Sequence, residues 1–226
     1  MLKFVYSYLW IMQKDLSSYR KSYEKSELME NSIKENPFEQ FQKWFYEVEA
    51  TDGLEEPNAM TVSTIGLDGY PKNRVVLMKR YTHEGFIFYT NYQSEKGKAI
   101  KENPSVCLSF FWPNLERQVI IKGQAEKLAE NLSDGYFESR PVGSQLGAIV
   151  SNQSEVIESR ELLEAKLIAL EKKHQGKEIE RPEQWGGYLV RPIAMEFWQG
   201  RPNRLHDRIR YTLQEDLNWK IERLQP

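Results

Sequence analysis

The chain has 226 residues, 40% hydrophobic and 28% charged, the balance of a soluble globular protein with enough length for a substantial core. Its net charge of −2 and pI near 6.0 exclude a general basic field for nucleic acid, so an anionic ligand needs local groups of Arg and Lys. One cysteine, Cys107, excludes an internal disulfide and, with three histidines, makes a poor metal set; the reducing cytoplasm is the expected compartment.

Residues 1–11 are apolar and aromatic, yet too short to span a bilayer and without a small-residue cleavage site before the polar stretch behind them. The expectation is an upstream extension, with Met12 a plausible start, rather than an export signal. Residues 13–35 are polar and read as a surface helix or a partly ordered arm, so residues 1–35 are expected to form an extension and arm ahead of one domain over 36–226. Asn36-Pro37 opens a helix, since Asn caps well and Pro is tolerated at the first position. Phe38, Phe41, Trp44, Phe45 and Val48 make its apolar stripe.

From residue 59 the period changes to that of strands. Residues 60–65, 74–79, 86–90, 106–112 and 118–125 read as strands, with Asp68-Gly69, Glu84-Gly85 and Pro113-Asn114 as turns. Ser94 is expected to cap a short helix that stops near Asn103-Pro104. Such a series implies an antiparallel meander that closes into a barrel or sandwich. Helices follow over 133–140, ended by Pro141, and over 155–174, with Val156, Ile157, Leu162, Leu163, Leu167 and Leu170 as an apolar stripe. Residues 188–190, 194–199, 208–213 and 219–224 read as closing strands.

Three groups of residues invite a chemical reading. If Arg204-Leu205-His206-Asp207-Arg208 is extended, Arg204, His206 and Arg208 share a face that suits an anionic or electron-rich aromatic ligand; a solvated charged strand with Asp207 paired to a neighbour reads the same way. Tyr136 and Arg140 are four apart on one helical face, and Ser144 after Pro141 offers a hydroxyl and a backbone N–H at a new helix start, where phosphate is favoured; an ordinary capped helix end is the plainer alternative. Arg74 and Lys79 have opposite parity and should not share a ligand group unless the strand bends. Trp185, Tyr188, Phe197, Trp198 and Trp219 supply flat apolar walls or ordinary packing. No glycine-rich dinucleotide motif, Ser-centred elbow or metal-ligand spacing occurs in the sequence.

Read in order, these stretches resemble the pyridoxamine 5'-phosphate oxidase family. The resemblance rests on Arg74-Val-Val-Leu-Met-Lys79, Gly85-Phe-Ile-Phe-Tyr-Thr-Asn91, Leu115-Glu-Arg-Gln-Val119, Tyr136-Phe137 with Ser139-Arg-Pro141, Ser144-Gln145, Ser151-Asn-Gln-Ser154, Trp185-Gly-Gly187, Glu196-Phe-Trp-Gln-Gly200, Asn203-Arg-Leu-His-Asp-Arg208 and Glu222-Arg-Leu-Gln-Pro226. It covers the chain from about Asn36 to the C-terminus. It implies a mainly β, antiparallel split β-barrel with helices, a homodimer, and FMN held in the subunit interface.

The resemblance also implies roles. FMN contacts would come from Arg74, Val75, Val76, Leu77, Met78, Tyr89, Thr90, Glu95, Lys96, Gln118, Gln153, Ser154, Trp198 and Arg208. The substrate phosphate would meet Lys79, Tyr136, Arg140 and Ser144, and Arg204 and His206 would lie over the pyridine ring as the catalytic pair. The implied reaction is oxidation of pyridoxine or pyridoxamine 5'-phosphate by dioxygen to pyridoxal 5'-phosphate, with hydrogen peroxide released. No membrane or nucleic-acid partner is implied. A related FMN oxidase of another aromatic substrate, of the phenazine type, and a noncatalytic flavin or pyridoxal phosphate carrier are the alternatives. One departure is visible: Glu95 stands where family members often carry Arg, and it is expected to point to solvent.

Overall fold

The computed structural model describes residues 14–226. The expected extension over residues 1–11 lies outside them. Residues 14–35 contain no helix and run as an irregular arm, which excludes the surface-helix reading for that stretch. The arm is anchored: the Glu116 carboxylate accepts the backbone N–H groups of Glu24 and Lys25, at 2.8 and 3.1 Å, and Leu28 is buried in the core.

Helix α1 (Pro37–Glu49) starts as its sequence dictates. The Asn36 side chain accepts the Phe38 N–H at 2.8 Å, and proline fills a position whose N–H has no helical partner anyway. Its stripe of Phe41, Trp44, Phe45 and Val48 is buried. Phe41 packs edge-on against Phe86 and Phe110, at 4.9 and 5.2 Å between centroids.

The strands are β1 (Ala59–Ile65), β2 (Pro71–Leu77), β3 (Arg80–Thr82), β4 (Gly85–Asn91), β5 (Ser105–Trp112), β6 (Arg117–Lys127), β7 (Trp185–Gln199), β8 (Asp207–Leu213) and β9 (Trp219–Leu224). All pair antiparallel in one sheet of order β2-β1-β5-β6-β7-β4-β3, with β8 and β9 added beside β7. Alternation decides the faces. Val62, Leu108, Phe110, Val119, Ile121, Met195, Phe197 and Ile209 point into the core, while Ser63, Ser109, Gln118, Glu196, Trp198 and Arg208 belong to the opposite face. The outer face also carries exposed apolar groups, among them Ile65, Val75, Phe111 and Ile193.

Four expectations need correction. The sheet is not a simple meander: β4 pairs with β7 and β1 with β5, because hydrophobic closure brings together strands distant in sequence. The two strands expected over 188–199 are one, β7, which pairs with β4 through its first part and β8 through its second. A register shift between Lys122 and Gly123 bends the pair, and a Cβ on Gly123 would lie 2.4 Å from the Arg191 carbonyl oxygen. The helix expected over 155–174 is α5 (Arg160–His174), capped by Ser159, whose hydroxyl accepts the Leu162 N–H. None of its residues is fully buried, and Val156 and Ile157 precede it and are exposed; of the expected stripe, Leu167 and Leu170 pack against the smaller core cluster of Phe137, Leu146, Ile179 and Trp185. The first helix after β6, α3 (Glu130–Glu138), starts three residues and ends two residues earlier than expected, and α4 (Val142–Val150) follows Pro141. The remaining helix, α2 (Glu95–Glu102), is capped by Ser94 as expected.

Candidate active site

Three groups of side chains form on this scaffold. The first lies where β2, the end of β4 and the start of α2 meet. Lys96 on α2 is buried, and its ammonium donates to Thr90 Oγ1 and Gln153 Oε1, both at 3.1 Å. Thr90 donates to the same Gln153 oxygen at 3.0 Å, so the loop after α4 is tied to β4. Burial pushes the Lys96 pKa down, Arg74 pushes it further, and Glu95 partly offsets both. Ser154 beside Gln153 takes a left-handed conformation at φ 74°. Arg74 is half exposed and donates from Nη2 to Glu95 Oε2 at 2.8 Å. Glu95 also pairs with Lys72. It remains partly exposed to solvent, and two cations hold it over β2.

The middle of the Arg74–Lys79 motif divides by burial. Val75 is largely exposed, Val76 and Leu77 are half-buried, and Met78 is in the core. Both backbone polar groups of Met78 are engaged by Asn58, so the structure gives Met78 to the packing rather than to an open site. The strand ends at Leu77, and the bend after it sets Lys79 apart from Arg74. The parity argument thus holds through Leu77, and the chain turns beyond it.

The second group surrounds a cavity of about 310 Å³ lined by Lys79, Arg80, Tyr89, Leu132, Gly135 and Tyr136, among others. Tyr89 and Tyr136 stack at 3.9 Å between centroids, and Trp185 continues the stack at 5.5 Å from Tyr89. Arg140 lies over the other part of this wall, its guanidinium carbon 4.6 Å from the Trp185 ring centre. Its Nη1 is buried with no hydrogen-bond partner among the described residues. Burial lowers the Arg140 pKa, with Tyr136 opposing. Tyr136 and Arg140 do not share a helical face, since α3 stops at Glu138; the Trp185 ring brings them together instead. Ser144 is exposed in the first turn of α4. Its backbone N–H donates to Pro141 O at 2.8 Å, so only its hydroxyl is free to serve as expected.

The third group is on the outer face of β6, β7 and β8. Gln118, Trp198 and Arg208 are register partners across the three strands. Gln118 donates to Ser109 Oγ at 3.2 Å, and Arg208 donates to Glu196 Oε1 at 2.8 Å and to the Gln225 carbonyl at 2.9 Å. His206 packs on Trp198 at 4.7 Å, and Tyr23 of the arm closes over both rings at 5.8 Å. The Arg201 backbone N–H donates to His206 Nδ1 at 3.1 Å, which leaves the proton of the neutral imidazole on Nε2. Burial, then Arg204, lower the His206 pKa, so the neutral form is favoured.

The segment before His206 is not extended. Pro202–Arg204 forms a 3-10 turn, with Asn203 and Arg204 left-handed at φ 57° and 62°. The alternation expected for Arg204, His206 and Arg208 therefore fails at Arg204, which is exposed beside the ring cluster. Two successive non-glycine residues in that region cost on the order of 1–2 kcal/mol each, strain that concentrates at functional positions. Asp207 turns inward, where it accepts the Leu28 N–H at 3.0 Å and pairs with Arg223 at 2.8 Å. Sequence reasoning missed Tyr23, Glu196 and Lys72. Tyr23 gave no local signal, because its contacts lie about the whole length of the chain away.

The three groups stand on different parts of the sheet. The first group sits where β2 meets β4, which pairs with the first part of β7, whereas the third group lies on the second part of β7 with β6 and β8.

Comparison with known proteins defines the class. The fold matches a PhzG from Burkholderia lata, solved in complex with tetrahydrophenazine-1-carboxylic acid, with a TM-score of 0.81 and 29% identity over 88% of this chain and 98% of that one. It also matches a pyridoxamine 5'-phosphate oxidase-related, FMN binding protein from Nostoc punctiforme, with a TM-score of 0.70, covering 86% of this chain and 100% of that one; at 14% identity this likeness shows the fold alone. The architecture is the antiparallel split barrel of these proteins.

The sequence narrows this. Residues 47–174 match the pyridoxamine 5'-phosphate oxidase model, and residues 185–226 match the pyridoxine 5'-phosphate oxidase C-terminal dimerisation region. A pyridoxine/pyridoxamine 5'-phosphate oxidase of Flavobacterium psychrophilum is 71% identical over 94% of this chain and its own full length. One from a Nostoc species is 50% identical over 95% of this chain, again over its full length. The chain belongs to the pyridoxamine 5'-phosphate oxidase family and is an oxidoreductase.

Proposed function

We propose that this enzyme binds FMN between two copies of the chain and oxidises pyridoxine 5'-phosphate and pyridoxamine 5'-phosphate to pyridoxal 5'-phosphate. The observation that carries the reading is a pair of cations, buried Lys96 and half-buried Arg140, neither hydrogen-bonded to a carboxylate among the described residues. Lys96 meets only neutral oxygens, and Arg140 keeps an unpartnered Nη1. Buried charges are ordinarily paired, so each suits an anion brought from outside. Two phosphates, one on the flavin and one on the substrate, answer that need.

The residues present fit the cofactor. Arg74, Thr90, Lys96, Gln153 and Ser154 would hold its phosphate end, and Gln118, Trp198 and Arg208 of the other copy its ring, with Val75, Val76, Leu77 and Tyr89 beside it. FMN, when bound, takes a hydride from the substrate and passes the electrons to dioxygen, which leaves as hydrogen peroxide.

The chain's own part is placement and charge. Lys79, Tyr136, Arg140 and Ser144 anchor the substrate phosphate, which fixes the carbon bearing the amine or alcohol and turns binding into orientation. Arg204 orients the substrate and stabilises developing charge. His206, neutral with its proton on Nε2, donates a hydrogen bond rather than accepting a proton at Nδ1.

A phenazine-type substrate is the neighbouring alternative, given the likeness to PhzG. The phosphate set of Lys79, Tyr136, Arg140 and Ser144 favours the phosphorylated substrate. Peroxide release separates them. Pyridoxine 5'-phosphate should elicit it from the FMN-loaded enzyme, and unphosphorylated pyridoxine should do so at least tenfold less efficiently, a loss of ~1.4 kcal/mol. Equal efficiency on both would overturn the phosphate assignment.

A further inference from the structure

Glu95 opens α2 directly before Lys96 and ties two further cations to it. Its Oε2 accepts from Arg74 at 2.8 Å, and its Oε1 pairs with Lys72. Lys72 also stands 3.1 Å from Asp68 Oδ2, at the tip of the β1–β2 hairpin. Lys72 and Arg74 thus gather around one carboxylate, next in the chain to Lys96, which feels its charge without pairing to it. Hydrogen bonding from Lys72 holds the Glu95 carboxyl below its ordinary range, and Glu95 in turn raises the Lys72 pKa, so both are charged at neutral pH.

An acid beside an anion site acts in two opposed ways. Its charge repels the anion, which argues for weaker binding. It also holds flexible cationic side chains that would otherwise spread by mutual repulsion. Here the second effect has the geometry on its side. Both Glu95 oxygens are already taken by cations, and the four groups Lys72, Arg74, Lys96 and Glu95 still sum to a net positive charge. Side chains fixed before the ligand arrives lose less freedom when it binds.

We infer that Glu95 is a positioning residue of the cofactor site, one that aims Arg74 and recruits Lys72 as a third cation for the flavin phosphate. The inference rests on the FMN reading above. Lys72 contributes to the field that the phosphate meets, and Glu95 acts through Arg74 and Lys72 rather than by touching the flavin.

Titration of the full-length, flavin-stripped protein with FMN, followed by quenching of flavin fluorescence, tests this. Glu95→Gln keeps the size of the side chain and removes the charge. It should weaken FMN binding about tenfold, which is ~1.4 kcal/mol, while affinity for riboflavin, which has no phosphate, stays as in the wild type. Lys72→Met should weaken FMN binding and flatten its dependence on salt. A Glu95→Gln variant that binds FMN as tightly as the wild type, or more tightly, overturns the inference. So does an equal loss for FMN and riboflavin with an unchanged salt dependence. A wild-type protein that takes up no FMN overturns the functional reading itself.

Discussion

Arg140 and Lys96 are the side chains whose surroundings the rest of the chain explains least. Lys96 is buried and Arg140 half-buried, and neither is hydrogen-bonded to an acid among the described residues. Removing Arg140 should cost a charge-assisted hydrogen bond to the substrate phosphate, ~1.5–3 kcal/mol. Arg140→Ala is expected to raise KM for pyridoxine 5'-phosphate by about tenfold to a hundredfold, with the FMN content of the purified protein unchanged by absorbance. Unchanged KM would remove Arg140 from the phosphate site. Arg204 acts at another stage. Its left-handed backbone and exposed side chain bring a positive charge near enough to lower the His206 pKa. Arg204→Ala should lower kcat by about a hundredfold or more, the scale of one lost transition-state donor, with FMN binding intact. His206 sets a pH limit. Its pKa lies below 6.5, so the neutral donor persists as pH falls through 6.5 and is lost only below it. A kcat/KM that already falls to half at pH 7 through this residue would contradict the neutral assignment.

The arm over residues 14–35 is the element whose role is decided by a few polar contacts. Glu116 accepts two of its backbone N–H groups and pairs with Lys21 at 2.8 Å; Asp207 accepts a third N–H, from Leu28. A Cβ on Gly200 would come within 2.7 Å of the Tyr23 ring, so the arm lies flat against the end of β7. Burial raises the Glu116 pKa, yet Lys21 and the two N–H groups outweigh it, and the net shift is downward. A depressed carboxyl stabilises the folded form above its unfolded pKa near 4.5, and that contribution is lost as pH falls through the lower folded value. Glu116→Gln should therefore cost about 2 kcal/mol, a fall of ~4–8 °C in Tm, and should speed proteolysis within residues 20–28. Equal proteolysis rates would show that Glu116 does not hold the arm. Much at this scale was legible. Asn36-Pro37, Ser94 and Asp68-Gly69 carry their local geometry in their own chemistry, and α1, α2 and the first hairpin follow. The arm's path was not, because Glu116 and Asp207 read as ordinary surface acids until the fold buries them.

At the scale of the molecule, the proposed reading makes the cofactor site from two half-sites that a second copy completes, in keeping with the match to a dimerisation region. Gln118, Trp198 and Arg208 share the outer face with exposed Phe111 and Ile193. That face, and the match of residues 185–226 to a dimerisation region, account for the apolar groups left open. Phe111→Asp should yield monomers by sedimentation, and those monomers should not retain FMN. A monomer that kept its flavin would contradict a shared site. The residues of the half-sites were legible through ordered motifs from Arg74 to Arg208. Their placement on the sheet was not, since pairings such as that of β4 with β7 depend on contacts a hundred residues apart.

The account turns on a bound flavin reduced by a phosphorylated B6 substrate. Its most direct test is the visible spectrum of the FMN-loaded protein mixed with pyridoxamine 5'-phosphate without oxygen. The yellow absorbance should bleach and return when air is admitted, with hydrogen peroxide formed. A spectrum that stays oxidised throughout would contradict the assignment.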